Sequence, residues 1–342
     1  MPLDNQRAPA QPTNDPRRDV ALPTSDDLMR ARKVVINYLS PTPILPSPAL
    51  GGAVLLKLES MQPTGSFKVR GAIAAASALP AGSRIITASA GNHALGTAWA
   101  SAQLGVPATV VVAETASPAK REALAKLPIE LIVHGADYDT AEAYALDLAK
   151  QPSRQATFVS AYNDPQVIAG QSTLLDEIVA QIGRDRPLTI VAAVGGGGLV
   201  AGLSLRAGEL STADQPIRIV GVEADQSLAV SEAVKAGGTC EIPIGDTIAD
   251  GLSGNLEPGS ITVGLIAEHT DALVHVSETQ LHAAIRWLVK HHGVIAEGAG
   301  AAPVAALLAG IVEMNDGVVV AIVSGRNIAL PSLAAILAET GD

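Results

Sequence analysis

Lys68 stands where an amine can do covalent chemistry. In the stretch Leu55 to Ala72, LLKLESMQPTGSFKVRGA, an apolar strand over Ala53 to Leu58 runs into a Pro63, Thr64, Gly65 turn. Ser66 then takes the N-cap position of a helix that carries Phe67, Lys68 and Arg70 in its first turn. Cations are favoured at helix C-termini, so the positive end of the dipole disfavours an ammonium and lowers its pKa. A lysine so placed is predisposed to act as a nucleophile, although the stretch alone also accommodates an ordinary solvated lysine.

Three other loops carry groups that could serve such an amine. Gly195 to Gly198 follow the strand LTIVAAV and precede a helix that begins near Leu199. Four glycines there form a nest of N–H donors suited to a compact phosphate, and a passive flexible turn is the less favoured reading. The spacing fits neither a Walker loop nor the GxGxxG fingerprint. Ser89 to His93, SAGNH, again joins a strand (RIITA) to a helix, and its backbone donors with Ser89, Asn92 and His93 could hold a carboxylate or phenolic oxygen. His93 by itself would read as a structural histidine. The third loop, Ser324 to Asn327, SGRN, closes the strand VVVAIV and offers a hydroxyl that could meet a heteroaromatic nitrogen. Metal and triad chemistry lack support: His291 and His292 are adjacent, no HxxxH or HExxH occurs, and there is no G-x-S-x-G elbow.

Strands and helices must alternate to place these loops. Strands are expected at Arg84 to Ala88, Ala108 to Ala113, Ile129 to His134, Thr157 to Ser160, Leu188 to Val194, Ile217 to Glu223, Ala272 to Val276 and Val318 to Val323. Helix starts are marked at Ser25 with Asp26 and Asp27, at Ser117 with Pro118, and at Ser277 with Glu278. The pattern predicts an α/β fold with mostly parallel sheets. Residues 84–160 hold enough strands for a small inserted domain, and 25–83 with 161–342 form a larger one. Ligands of such sheets gather at the carboxyl ends of strands.

Composition agrees. The 342 residues are 48% hydrophobic but only 2% aromatic, so the core is built from Ala, Val, Leu and Ile. The net charge of −11, with no basic cluster, argues against nucleic acid and anionic membranes as partners. A lone Cys240 leaves no intrachain disulfide or cysteine-based metal site. No apolar run spans a membrane, and residues 1–24 read as a disordered, polar arm rather than a signal peptide, which makes the expected location cytoplasmic.

A nucleophilic lysine, a single-phosphate nest, an oxygen-binding loop and a hydroxyl for a ring nitrogen together describe a site for pyridoxal 5'-phosphate. The motifs TGSFKVRGA, SAGNHA, VIAGQ, GGGGLVAG, TIADGL and SGRN also resemble, in the same order, the fold-type II pyridoxal-phosphate enzymes of the threonine dehydratase and serine racemase branch. The resemblance covers Asp26 to the C-terminus. It implies two open sheets flanked by helices, as in the tryptophan synthase β chain, with the cofactor in the cleft between domains.

By that resemblance Lys68 is the Schiff-base lysine and the base for the α-proton. Phe67 packs beside the cofactor, Asn92 bonds its phenolic oxygen, Gly195, Gly196, Gly197, Gly198 and Leu199 hold the phosphate, and Ser324 meets the pyridine nitrogen. Ser89, Ala90, Gly91, Asn92 and His93 surround the substrate carboxylate. A serine does not hold the ring nitrogen protonated as an aspartate would, which favours β-elimination over transamination. The products would be a 2-oxo acid and ammonia, and the enzyme a homodimer.

Departures from the family sharpen the expectation. Ala90 replaces the second serine of serine racemases, so dehydration is preferred to racemisation. Glu223 stands where the family has a first cation ligand, but Ala229 replaces its partner aspartate, so no strong cation site is expected. The absence of a regulatory domain after the catalytic portion makes isoleucine feedback unexpected. Arg326 replaces the second glycine of SGGN, and Ser160, Ala161, Tyr162 replace a His-Pro-Phe type loop. A guanidinium at 326 facing the pocket would suit 3-hydroxyaspartate or a hydroxyectoine-derived hydroxy diamino acid; facing outward, it would have no such role. The leading expectation is a dehydratase (ammonia-lyase) for a β-hydroxy amino acid such as threonine or serine. A serine racemase and a non-catalytic cofactor-binding protein are the alternatives.

Overall fold

The computed structural model of the chain describes residues 17–314 and 317–339. Among them ten strands form two sheets. In chain order these are β1 (Ile44–Pro46), β2 (Ala53–Lys57), β3 (Arg84–Ala88), β4 (Ala108–Val112), β5 (Glu130–Val133), β6 (Ala156–Phe158), β7 (Leu188–Ala193), β8 (Ile217–Ala224), β9 (Ala272–Val276) and β10 (Val318–Ile322). The larger sheet runs β1-β2-β10-β7-β8-β9 and is parallel except for β1, while the smaller, β5-β4-β3-β6, is wholly parallel. Central strands β4 (ATVVV) and β7 (LTIVAA) are buried at every position, as sheets covered on both faces require. The strand β1 escaped the sequence reading because a three-residue edge strand ending in proline carries no periodicity.

With few aromatics, tight packing falls to small residues. The helix Gly298–Leu308, GAGAAPVAALL, lies directly on the loop after β10: a Cβ on Gly300 would come within 2.3 Å of the Gly325 carbonyl oxygen. Gly96 serves likewise for the helix Asn92–Leu104, where a Cβ would stand 3.2 Å from the backbone of Lys68 and Val69.

A buried ion network fixes the start of the helix Lys68–Ala78. Arg70 donates through Nε and Nη2 to Glu59 at 2.7 and 2.8 Å and through Nη2 to Glu177 at 2.7 Å. Lys57, at the end of β2, donates to the Thr42 carbonyl at 2.8 Å, to Gln181 at 2.7 Å and to Glu177. Burial pushes the Glu59 carboxyl up, but the Arg70 guanidinium, the Thr42 hydroxyl and the Lys57 charge together outweigh it, so Glu59 stays below the usual carboxylate range. The end of β2, the helix Pro165–Ile182 and the Lys68 helix are therefore joined by charge-assisted bonds in a low-dielectric setting.

Three local expectations are corrected. Ser66 does not cap: the helix begins at Lys68, Phe67 takes the cap position with helical φ and ψ, and the Ser66 backbone bridges to Gly325. Pairing with the loop after β10 draws residue 66 away from the helix end, and its hydroxyl is buried without a partner. Of the arm expected to be disordered, residues 17–24 are placed, while residues 1–16 lie outside the described residues. Arg18 reaches the buried Glu257 carboxylate at 2.7 and 3.1 Å and lies 5.2 Å from the Phe158 ring centroid, so a carboxylate in need of a cation holds the arm. At the first helix, Ser25–Tyr38, the cap is Thr24, which forms a capping box with Asp27.

Candidate active site

The Lys68 amine donates to the Ala161 carbonyl oxygen at 2.8 Å, and the Phe67 ring centroid lies 5.3 Å from it. The residue as a whole is only partly buried. The surrounding protein nevertheless lowers its pKa to about 8 by desolvation, which the negative charge of Glu297 partly counters. Burial thus acts in the same direction as the helix dipole invoked from sequence, and the amine is freed at a lower pH than an ordinary lysine.

The glycine loop sits at the carboxyl end of β7. Gly197, at φ +84°, occupies the N-cap of the helix Gly198–Leu210, and no side chain caps that end. Among the described residues, the N–H groups of Gly195, Gly196, Gly197, Gly198 and Leu199 find no acceptor, which leaves a cluster of donors for an anion. The glycines also admit a neighbour. A Cβ on Gly196 would lie 2.2 Å from the Tyr162 ring, and one on Gly198 2.9 Å from the Tyr162 Cα. The Tyr162 hydroxyl accepts from the Glu257 N–H at 2.6 Å, which holds the ring in place. Ala161 and Tyr162 thus set the lysine amine and the donor nest side by side.

The 89–93 loop follows β3. Gly91 takes the N-cap of the Asn92 helix with no side-chain cap, so a second set of backbone donors is open at that helix end. The Gly91 N–H donates to the Ser89 hydroxyl at 3.2 Å, and Ala90 packs against an apolar cluster that includes Ala94 and Val110. His93 is buried; desolvation and then the positive charge of Lys68 lower its pKa to about 3, so the ring is neutral. One ring nitrogen lies 3.3 Å from the Val159 carbonyl oxygen and the other has no partner.

Ser324 is buried, and its carbonyl oxygen accepts from the Phe67 N–H at 3.0 Å, so the last loop is tied to the residue before the lysine. Arg326 takes the outward arrangement. It is exposed, Nη1 lies 3.3 Å from the Met61 sulfur, and it lines a groove of about 450 Å³ with Trp99, Leu127 and Asn327. Its backbone N–H donates to the Gly65 carbonyl, which sets the direction of the turn. The Glu223 carboxylate is used locally: it accepts from the N–H groups of Val230 and Ser231 and from the Ser231 hydroxyl at the start of the helix Ala229–Ala236.

One member of the site escaped the sequence reading. Glu297 accepts from Asn92 Nδ2 at 2.7 Å, and its charge is felt by Lys68. Burial and the negative charge of Asp250 raise its pKa to about 7 against the bonds from Asn92 and Asn327. The only signal was a lone glutamate in the otherwise apolar run before GAGAAPV.

These residues fit one cofactor. An uncapped cluster of backbone donors beside a desolvated amine, on a two-sheet α/β scaffold, is compatible with the phosphate and aldehyde of pyridoxal phosphate. The family model for pyridoxal-phosphate dependent enzymes matches residues 35–325, and the chain belongs to that family. Over 312 residues it is 34% identical to the L-threonine ammonia-lyase of Thermotoga maritima, covering 89% of this chain and 76% of the relative. It is 35% identical over 322 residues to the catabolic L-threonine dehydratase TdcB of Staphylococcus aureus, with 91% of each covered. Among solved structures, a threonine deaminase from T.th. superposes with a TM-score of 0.79 at 34% identity, covering 90% of this chain and 99% of that one. Maize serine racemase superposes at 0.82 with 27% identity, covering 92% and 97%.

Proposed function

We propose that this protein is an ammonia-lyase that eliminates water from a β-hydroxy amino acid such as threonine or serine to leave an enamine, which takes up water again to give a 2-oxo acid and ammonia. The carrying observation is the Lys68 amine, held at Ala161 with a pKa of about 8 beside an uncapped glycine nest. When bound, the cofactor supplies an electron sink for the substrate's α-carbon. The protein's residues do the rest. The N–H groups of Gly195 to Leu199 bind the phosphate, Asn92 addresses the ring oxygen and Ser324 the ring nitrogen. The open end of the Asn92 helix, with Ser89 to His93, takes the substrate carboxylate, and Lys68 Nζ moves the α-proton. Residues 84–160 act as the small domain of a cytoplasmic homodimer.

The relatives named as threonine ammonia-lyase and dehydratase support elimination, and the likeness to maize serine racemase keeps racemisation as a second reading. Ala90 lacks the hydroxyl that a second proton donor needs, which favours elimination. The outward Arg326 gives no support to a dicarboxylate substrate. Ammonia release from L-serine, L-threonine, 3-hydroxyaspartate and hydroxylated diamino acids, with chiral analysis of the residual substrate, tests the reading. Ammonia with residual substrate of unchanged configuration is expected; racemised substrate without ammonia would overturn it.

A further inference from the structure

Glu297 stands at the N-cap of the helix Gly298–Leu308, nearly buried, yet its side chain does not cap that helix. It turns instead to the amide of Asn92. Asn92 Nδ2 donates to Glu297 Oε1 at 2.7 Å, and at the other end of the same amide Asn327 Nδ2 donates to Asn92 Oδ1 at 2.6 Å. Asn327 Nδ2 also donates to the Thr64 carbonyl oxygen at 2.9 Å.

This chain of bonds runs in one direction only. A backbone carbonyl can only accept, so Thr64 fixes which end of the Asn327 amide is nitrogen. Asn92 must then present its oxygen to Asn327 and its nitrogen to Glu297, whose Oε1 accepts. The orientation of Asn92 is thus set from the Thr64 end and met by an acceptor at the other. An amide nitrogen carries two protons, and only one is used on Glu297. The carboxylate is itself clamped: the Glu297 N–H donates to the Gly325 carbonyl oxygen at 3.1 Å, and a Cβ on Gly325 would lie 2.1 Å from Glu297 Oε1. Glycine at 325 is what admits the carboxylate there.

We propose that Glu297 is a positioning residue for the cofactor's ring oxygen: by accepting one proton of Asn92 Nδ2 it aims the second at that oxygen. It thereby excludes the flipped amide, which would set one oxygen against another. This role rests on the pyridoxal-phosphate reading of the site, and it also explains why the three loops at residues 63–65, 89–93 and 324–327 are bonded to one another.

The test reconstitutes the full chain with pyridoxal 5'-phosphate and measures the cofactor dissociation constant and the absorption maximum of the bound cofactor. Glu297→Gln retains an accepting oxygen and keeps both close to wild type. Glu297→Ala weakens cofactor binding on the order of tenfold and moves the maximum in the same direction as Asn92→Ala. The Glu297→Ala, Asn92→Ala double variant adds little to Asn92→Ala alone, because both changes act on one contact. Asn327→Leu, which cuts the other end of the chain without disturbing the carboxylate, shifts the maximum in the same direction and keeps the test open if Glu297→Ala does not fold. Additive effects in the double variant, or an unchanged spectrum and affinity in Glu297→Ala and Asn327→Leu, would overturn the assignment while leaving the proposed function intact. Wild-type protein that takes up no cofactor contradicts the proposed function, and the assignment with it.

Discussion

Lys120 Nζ and Asp250 Oδ2 stand 2.7 Å apart, one on the helix Pro118–Ala125 beside the smaller sheet, the other next to Gly251, which packs on Gly195 of the glycine loop. The pair therefore ties the two halves of the molecule together beside the site. Its side chains are 45% and 62% exposed, so the bond contributes at most about 1 kcal/mol. Lys120→Ala should leave thermal unfolding almost unchanged and raise KM for the amino acid by no more than about fivefold, with kcat less affected. Steady-state kinetics over a salt series check this, since screening should erase the difference between variant and wild type.

The Arg70 network makes a stronger claim. Arg70→Met leaves Glu59 without its main partner in a fully buried position, which should cost about 3–5 kcal/mol in denaturant unfolding. The sign with pH follows from the net lowering of the Glu59 pKa. A depressed carboxyl stabilises the fold above its unfolded value and loses that contribution as pH falls through the folded one. Wild-type stability should therefore decline in acid more steeply than that of a Glu59→Gln, Arg70→Met pair.

Gly196→Ala places a methyl 2.2 Å from the Tyr162 ring, and neither the loop nor the tethered tyrosine can yield cheaply. Cofactor affinity should fall by at least about tenfold, since even one strained or lost anion contact is worth roughly 1.5–3 kcal/mol. Gly208→Ala is the control: nothing lies within 4 Å of a Cβ in that helix interior, and the change should be neutral or stabilise by up to about 1 kcal/mol. Equilibrium titration with the cofactor and thermal melts separate the two.

The pKa of about 8 for Lys68 has a direct reading. Below it the amine is protonated and cannot attack an aldehyde; above it the free amine predominates. The rate at which cofactor-free protein takes up pyridoxal 5'-phosphate should rise through a midpoint near 8, well below the ordinary lysine value of 10.5. Stopped-flow absorbance across roughly pH 6 to 10, a window set by the ordinary His and Lys ranges, would show it.

The strand, loop and helix that carry Lys68 and the glycine loop were legible in the sequence because their signals are local, within about ten residues. The strand pattern was legible for the same reason. Glu297 was not, because its meaning depends on Asn92, 205 positions away. Arg18 likewise gains its order from Glu257, 239 positions away, which no reading of a polar arm reveals. The direction of Arg326 depends on how the turn after β10 pairs with Gly65, and Ser66 reads as a cap until that pairing claims its backbone. Local periodicity places elements, while long-range polar bonds decide which side chains share a site.

The central claim concerns Lys68, and release of ammonia together with a 2-oxo acid from L-threonine and L-serine tests it most directly. Wild-type protein loaded with pyridoxal 5'-phosphate should release the two in equal amounts, and Lys68→Ala should be slower on the order of a thousandfold or more. A Lys68→Ala variant that turns over at the wild-type rate, or a loaded wild type that releases ammonia from neither amino acid nor from any other β-hydroxy amino acid, would contradict the account.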